Sequence, residues 1–421
     1  MLLALILFIL TYVLLMIFTK YRAIIALCSA AIFIILGILP LNMIVASIEW
    51  NVIMMIGGTM GIVSLFIMSG MPAFLADCII AKVPNIKWAV VSLALFAGVI
   101  SAFVDNVATV LMVAPVALEA AKKLKISPVA PIIAIAISSN LQGAATLVGD
   151  TTSILLGGYA GMDFLDFFFM DGKPGMFWIV ELGALASMFI LLYYFRKEKT
   201  PVNVDQKTVV TDYFPTVLLC AVIVALISVS FFPNKHPLIN GFICVGLMII
   251  GLLRELIFKK NTAAVKTMLK EIDYNTLLLL AGLFLVIAGI TQAGVINEIA
   301  ALFVRISGSN LFVSYTLIVW FSVIISAFID NIPYVATMLP VVSGMATLIG
   351  VEPHVLYLGL LCGATLGGNL TPIGASANIA GIGILTKNGY EVKTKDFMKM
   401  GIPFTLSAVI VGYVLIWIIW A

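Results

Sequence analysis

Ile100-Ser-Ala-Phe-Val-Asp105-Asn106-Val-Ala-Thr109-Val-Leu-Met-Val-Ala-Pro115 recurs as Ile325-Ser-Ala-Phe-Ile-Asp330-Asn331-Ile-Pro-Tyr-Val-Ala-Thr-Met-Leu-Pro340, displaced by 225 residues without a gap. Eight of the sixteen positions are identical, so the chain reads as two copies of one unit. Ser101/Ser326, Asp105/Asp330, Asn106/Asn331 and Pro115/Pro340 are among them. Each copy places an Asp-Asn pair in the middle of a long apolar run. A carboxylate is costly at membrane depth and marks a functional site by default, although a neutral, hydrogen-bonded buried acid is the plainer reading.

The rest of the chain says that the solvent is lipid. Of 421 residues, 63% are hydrophobic and 10% charged, where a soluble chain carries roughly 25% charged residues. Apolar runs of near membrane-spanning length recur from end to end, the signature of an all-α polytopic membrane protein. The short alternating segments of a β-barrel do not occur. The run from Leu2 to Phe18 has no basic leader and no small-residue cleavage site, so it reads as the first membrane helix. The bilayer is therefore the first expected partner, and no basic block suggests nucleic acid. Cys28, Cys78, Cys220, Cys244 and Cys362 are scattered and read as packing residues. His236 and His354, the only histidines, fall near expected helix ends and read as structural.

Crossings are expected at 2–18, 23–40 and 50–70, then a helical hairpin at 88–121 broken at Asp105-Asn106. A crossing at 128–156, interrupted near 143–150, and one at 176–195 close the first half, 1–195. A polar linker, 196–212, follows. The second half, 213–421, repeats the order: crossings at 214–232, 239–258 and 275–292, and a hairpin at 311–349. An interrupted crossing at 354–386 and a last one at 401–420 complete it. With the N-terminus outside and both hairpins re-entrant, 20 of the 23 basic residues, Lys20, Arg22 and Lys207 included, lie inside; Lys173, Lys235 and Arg305 do not. The linker is then cytoplasmic and the host is the plasma membrane. Five crossings per half, an odd number, would insert the second half upside down, an inverted repeat of the kind used for alternating access. The repeat extends beyond the hairpin, because Glu49-Trp-Asn51 through Gly58 matches Asp273-Tyr-Asn275 through Gly282 at an offset of 224.

A second shared element follows each hairpin. Asn140-Leu-Gln-Gly143-Ala-Ala-Thr146-Leu-Val-Gly149-Asp150-Thr151-Thr-Ser153 aligns with Thr365-Leu-Gly-Gly368-Asn369-Leu-Thr371-Pro372-Ile-Gly374-Ala-Ser376-Ala-Asn378, again at 225. Two glycines six apart, with hydroxyls and amides between, make poor helix interior and suit an unwound stretch that lines a cavity. Close helix packing through small residues is the alternative. Asp150 occurs in the first half only; its counterpart is Ala375. Pro115 and Pro340 are expected to kink the return arms of the hairpins.

These motifs resemble the ion transporter superfamily, in the branch holding ArsB-type arsenite permeases, NhaD-type sodium/proton antiporters and P-protein-like permeases, with the wider relation to citrate-type and divalent-anion/sodium carriers. The paired Ser-Ala-Phe-Val/Ile-Asp-Asn tips and Gly368-Asn369-Leu-Thr371-Pro-Ile-Gly374 carry the resemblance, which spans nearly the whole chain. It implies a scaffold domain, a transport domain and dimers formed through scaffold helices. It also implies a midplane site between the two tips and the two broken helices. The substrate and ion ligands are then expected among Asp105, Asn106, Thr109, Asn140, Gly143, Thr146, Gly149, Asp150 and Thr151 of the first half. In the second half they are Asp330, Asn331, Gly368, Asn369, Thr371, Gly374, Ser376 and Asn378. In the divalent-anion/sodium symporters the tip reads Ser-Asn-Thr and binds sodium. By that resemblance Na+ would sit near Asp105, Asn106, Asp330 and Asn331. Here Asp stands for the serine, and Val107 and Ile332 for the threonine. The family's Gly-Asp-Pro-Pro-Asn stands as Gly149-Asp150-Thr151-Thr152-Ser153.

Three embedded carboxylates would repel a dicarboxylate unless protons or cations neutralise them. The expectation is therefore a secondary transporter, coupled to protons or sodium and needing no other cofactor, for a small inorganic ion or oxyanion such as arsenite. A sodium/proton antiporter, an organic-anion carrier and a channel are the alternatives. Enzyme chemistry is not expected. An intramembrane aspartyl protease needs Gly-x-Gly-Asp, where this chain has Leu147-Val-Gly-Asp150. A phosphate-binding loop is not spelled at Gly172-Lys173, which lacks the first glycine and is followed by Pro174.

Overall fold

Lipid offers the backbone no hydrogen bonds, so apolar segments satisfy their own as helices. The computed structural model describes residues 1–202 and 208–421, and Lys207 with the middle of the linker lies outside the described residues. The chain is an all-α membrane protein. Its first half runs α1 (Leu2–Ile17), α2 (Arg22–Ile35), α3 (Ile44–Ser47), α4 (Trp50–Met68), α5 (Met71–Ile80), α6 (Ile86–Ser101), α7 (Asn106–Lys123), α8 (Val129–Gly143), α9 (Thr151–Ala160) and α10 (Met176–Tyr194). Its second runs α11 (Phe214–Ser230), α12 (Ile239–Leu253), α13 (Thr262–Glu271), α14 (Tyr274–Gln292), α15 (Val295–Ser307), α16 (Leu311–Ser326), α17 (Asn331–Ile349), α18 (His354–Gly367), α19 (Ser376–Lys387) and α20 (Thr394–Trp420). Two short strands, Phe169–Met170 and Lys173–Pro174, pair in the α9–α10 loop.

Six helices are long and apolar enough to cross a membrane, or up to eight spans if each of two bent pairs counts as one. The first bent pair is α1 with the segment Thr19–Ile35, at 114°. The crossings expected at 2–18 and 23–40 are therefore short helices meeting at a sharp corner, and α2 stops at Ile35. Four helices lie where no element was expected: α3, α5, α13 and α15.

The 225-residue repeat is visible in the elements. α6 and α16, α7 and α17, α8 and α18, and α9 and α19 start at positions 225 apart. Asn85 caps α6 by accepting from Trp88 N (3.2 Å), and Asn310 caps α16 by accepting from Val313 N (3.1 Å). Side-chain capping satisfies an amide that the first helical turn leaves unpaired. Pro115 and Pro340 lie inside α7 and α17.

The two broken helices form the centre. Every residue from Pro131 to Gly143 and from Val355 to Gly367 is buried, as expected of helices apolar all round. α6 and α7 pack on α8, and α16 and α17 on α18. Outside this core the halves exchange helices: α4 packs on α12 and α11, and α14 on α2. Gly58 and Gly282 permit these crossings. A Cβ on Gly58 would lie 2.5 Å from the Cys244 carbonyl carbon, and one on Gly282 2.7 Å from that of Ala26. Small residues let helix backbones meet closely in lipid.

Candidate functional site

α6 and α16 each end just before an Asp-Asn pair, and the aspartate is the N-cap of the next helix, α7 or α17. Asp105 Oδ2 accepts from Ala108 N (3.1 Å) at the start of α7. Asp330 Oδ1 accepts from Ile332 N (3.2 Å) at the start of α17. Aspartate is a preferred cap, and a negative charge at a helix N-terminus is favoured by the helix dipole. The position of the charge therefore has a local cause.

The breaks grip the tips. Thr146 Oγ1 donates to the Ala102 carbonyl and Thr371 Oγ1 to that of Ala327, 225 residues on. A Cβ on Gly149 would lie 2.5–2.7 Å from the carbonyl oxygens of Gly143, Ser101 and Ala102. On Gly374 it would meet Gly368, Ser326 and Ala327 oxygens at 2.6–2.8 Å. These glycines, with Gly143 and Gly368 across each break, are needed for close approach. The unwound stretch and the close packing offered as alternatives are one feature.

Asp150, 3% exposed, receives both tips. Asn106 Nδ2 lies 3.5 Å from its Oδ1 and Asn331 Nδ2 3.4 Å from its Oδ2. Thr152 Oγ1 donates to Oδ2 (2.7 Å) and is bonded to Thr365 Oγ1 (2.8 Å). Asn106 also donates to Asn140 Oδ1 (3.0 Å), and Asn140 Nδ2 to the Thr365 carbonyl (2.8 Å). Asp150, whose counterpart in the repeat is Ala375, is thus the point where the halves meet.

A cavity of about 140 Å³ opens on this point, against the roughly 10–15 Å³ that holds one water. Asp105, Asn106, Asp150, Thr151, Asn331 and Ser376 line it. Four further polar residues, unforeseen as site residues, line it too: Ser64 of α4, Glu271 and Asp273 before α14, and Thr276. Four carboxylates and no basic side chain are among its described lining residues. Ser64 is 3% exposed and its Oγ has no hydrogen-bond partner. A second cavity, about 210 Å³, is lined by Glu49, which stands 224 residues before Asp273, with Tyr159 and Thr291.

The remaining expected residues lie around the cavity. Thr109 Oγ1 bonds the Val104 carbonyl (3.4 Å). Asn369 Nδ2 donates to the Ile137 carbonyl (2.8 Å) and Asn378 Nδ2 to those of Gly368 and Thr371 (3.1 and 3.3 Å). The Oδ1 atoms of Asn369 and Asn378 are buried without a partner. Asp330 is not among the residues that line this cavity; Arg22 Nη1 pairs with its Oδ2 at 2.8 Å. The expected topology puts Arg22 among the cytoplasmic charges, and nothing local in the sequence links it to a residue 308 positions away. No three His, Cys, Asp or Glu side chains converge on a metal-sized site among the described residues.

Comparison with known proteins agrees with the resemblance read from the tips. The family model described as citrate transporter (CitMHS) matches residues 12–363. An uncharacterized transporter of Mycobacterium tuberculosis is 30% identical over 428 residues, 98% of this chain and 96% of that protein. The human P protein is 25% identical over 92% of this chain and 56% of its own length. Among solved structures, the YdaH transporter of Alcanivorax borkumensis superposes with a TM-score of 0.61 at 14% identity, covering 96% and 97% of the two chains. Neisseria gonorrhoeae MtrF gives 0.54 at 15% identity, covering 97% and 84%.

Proposed function

The chain belongs to the citrate transporter family, and from that premise we propose that it is a secondary active transporter coupled to protons or sodium. Its cargo on this reading is a small inorganic ion or oxyanion of the arsenite kind. The observation that carries the coupling is Asp150, held by the amides of Asn106 and Asn331 from opposite halves. A cation or proton arriving there changes what both tips bond to. A cavity lined by Asp105, Asp150, Glu271 and Asp273 attracts cations, admits neutral solutes and repels a bare anion. Exchange of sodium for protons alone fits the same geometry.

A second reading, an organic-anion carrier, is favoured by the family's description and by the N-termini of α7, α9, α17 and α19 at the tips and breaks. Helix N-termini favour anions, but aspartates already stand at three of these four. On this reading the anion enters only together with neutralising cations or protons. We read the halves as an inverted repeat in the plasma membrane, with the N-terminus outside, re-entrant hairpins and a cytoplasmic linker. The cavities at Asp273 and Glu49 would then serve the two faces in turn.

Proteoliposomes under an imposed proton or sodium gradient test this, with labelled arsenite, citrate and sodium as cargo. The expected result is accumulation of one of them above equilibrium, lost in the Asp105→Asn/Asp150→Asn variant. Equilibration without accumulation would mean a channel. Transport indifferent to Asp105→Asn and Asp330→Asn together would sink the coupling role of the tips.

A further inference from the structure

The two tip aspartates are equivalent in sequence but not in surroundings. Asp330 makes an ion pair with Arg22, its Oδ2 2.8 Å from Nη1, with side chains 8% and 22% exposed. Its other contacts are Ile332 N on Oδ1 (3.2 Å) and Ser376 Oγ on Oδ2 (3.2 Å). The guanidinium is fixed in turn, because Arg22 Nε donates to the Leu15 carbonyl (3.3 Å) at the end of α1. α1 also lies along the second hairpin, where Tyr12 Oη donates to the Pro333 carbonyl (2.7 Å) and bonds Thr337. Asp150 is the neighbouring carboxylate, reached through Asn331.

Asp105 has nothing comparable. It is capped by backbone amide and makes no ion pair among the described residues. In element order, the connection that corresponds to the α1–α2 corner is the α11–α12 loop. Its basic residue, Lys235, pairs with Asp163 of the α9–α10 loop instead. Asp150 likewise has hydroxyl and amide partners and no cation.

We propose that Arg22 is a built-in counter-ion for the second tip, leaving the first-half carboxylates, Asp105 and Asp150, to take the exchangeable cation or proton. The physical reason is that a buried carboxylate must be matched by a positive charge or a proton. At Asp330 the chain supplies that charge covalently attached to α2. The transporter then carries fewer coupling ions than its two tips suggest, and the site works asymmetrically. This inference rests on the coupled-transport reading, but it is tested by equilibrium binding, which does not depend on transport.

Bound monovalent cations are counted on purified protein in detergent. Labelled sodium at pH 8 gives sodium bound, and potentiometric titration from pH 8 to 5 in choline chloride gives protons bound. Arg22→Gln is expected to bind one more equivalent than wild type in one of the two assays. Arg22→Lys keeps the wild-type count, and Arg22→Gln/Asp330→Asn returns to it. An unchanged count in Arg22→Gln, or an extra equivalent that persists in the double variant, overturns the proposal. If Arg22→Gln does not fold, the cycle is read through Asp330→Asn. That variant strands the guanidinium and is expected to melt below the double variant; equal or higher melting of Asp330→Asn overturns the proposal as well.

Discussion

Asp105 serves as a helix cap through Oδ2 and as a charge on the cavity wall. The two roles separate by substitution. Asparagine caps as well as aspartate, so Asp105→Asn should melt like wild type yet lose coupled uptake in proteoliposomes. Asp105→Ala should lose uptake and also roughly 1 kcal/mol of stability with the cap. A fully coupled Asn variant would assign the residue to capping alone. The glycines make a second prediction at this scale. Gly149→Ala and Gly374→Ala each place a methyl within 2.8 Å of three carbonyl oxygens, an overpacking expected to cost about 1–3 kcal/mol. Gly246→Ala in α12, with no atom within 4 Å of the new methyl, should melt no lower than wild type. Thermal unfolding in detergent compares them. The Asp-Asn pairs and the glycines were legible because their chemistry conflicts with an apolar helix. Arg22, Ser64 and Glu271 were not, since a charge near an expected helix end, or a serine within a helix, has an ordinary explanation until the chain folds.

At the scale of elements, the broken helices were legible from glycine spacing and the paired helix breaks at the Asp-Asn stretches from duplication. α3, α5, α13 and α15 were missed, because short helices between crossings carry no span-length apolar signal. The described end of the linker shows what such segments do. Thr208 N and Oγ1 donate to Asp77 Oδ2 (2.8 and 2.7 Å), tying the strap to α5. Asp212 accepts from Arg254 (2.5 and 3.2 Å) and Lys259 (2.6 Å), tying it to the end of α12. Burial alone would raise the Asp212 carboxyl, but the hydrogen bonds from Arg254 and Lys259 outweigh it and hold it at about 2. A carboxyl depressed below its unfolded value near ~3.9 stabilises the fold at neutral pH. That contribution is complete above about pH 4 to 5 and fades as pH falls toward 2. Asp212→Asn should therefore melt below wild type at pH 7, with the gap narrowing below pH 4. A gap that stays constant with pH would remove the ion cluster from the account.

For the whole molecule, the exchange of α4 and α14 between halves matters most. Neither half encloses its own fourth helix, since α4 packs on α12 and α14 on α2. Segments 1–202 and 208–421 expressed separately should fail to accumulate, and co-expressed should co-purify. A half that is stable alone would contradict this packing. Orientation is testable with single cysteines in a background without the native ones. Lys235→Cys should react with an impermeant maleimide from outside the cell, and Lys393→Cys only after permeabilisation.

Composition and repetition by themselves determined the solvent, the helical class, the twofold plan, and where charge and unwound backbone had to be accommodated. These follow from local conflicts between side-chain chemistry and lipid, and such conflicts are readable one segment at a time. Tertiary structure alone decided that Asp150 joins the two tips, that Arg22 matches Asp330 and not Asp105, and that α4 and α14 change places. Each of these is a pairing between segments far apart in the chain, and any of several polar groups could satisfy either partner. Only the packed helices bring one of them within reach.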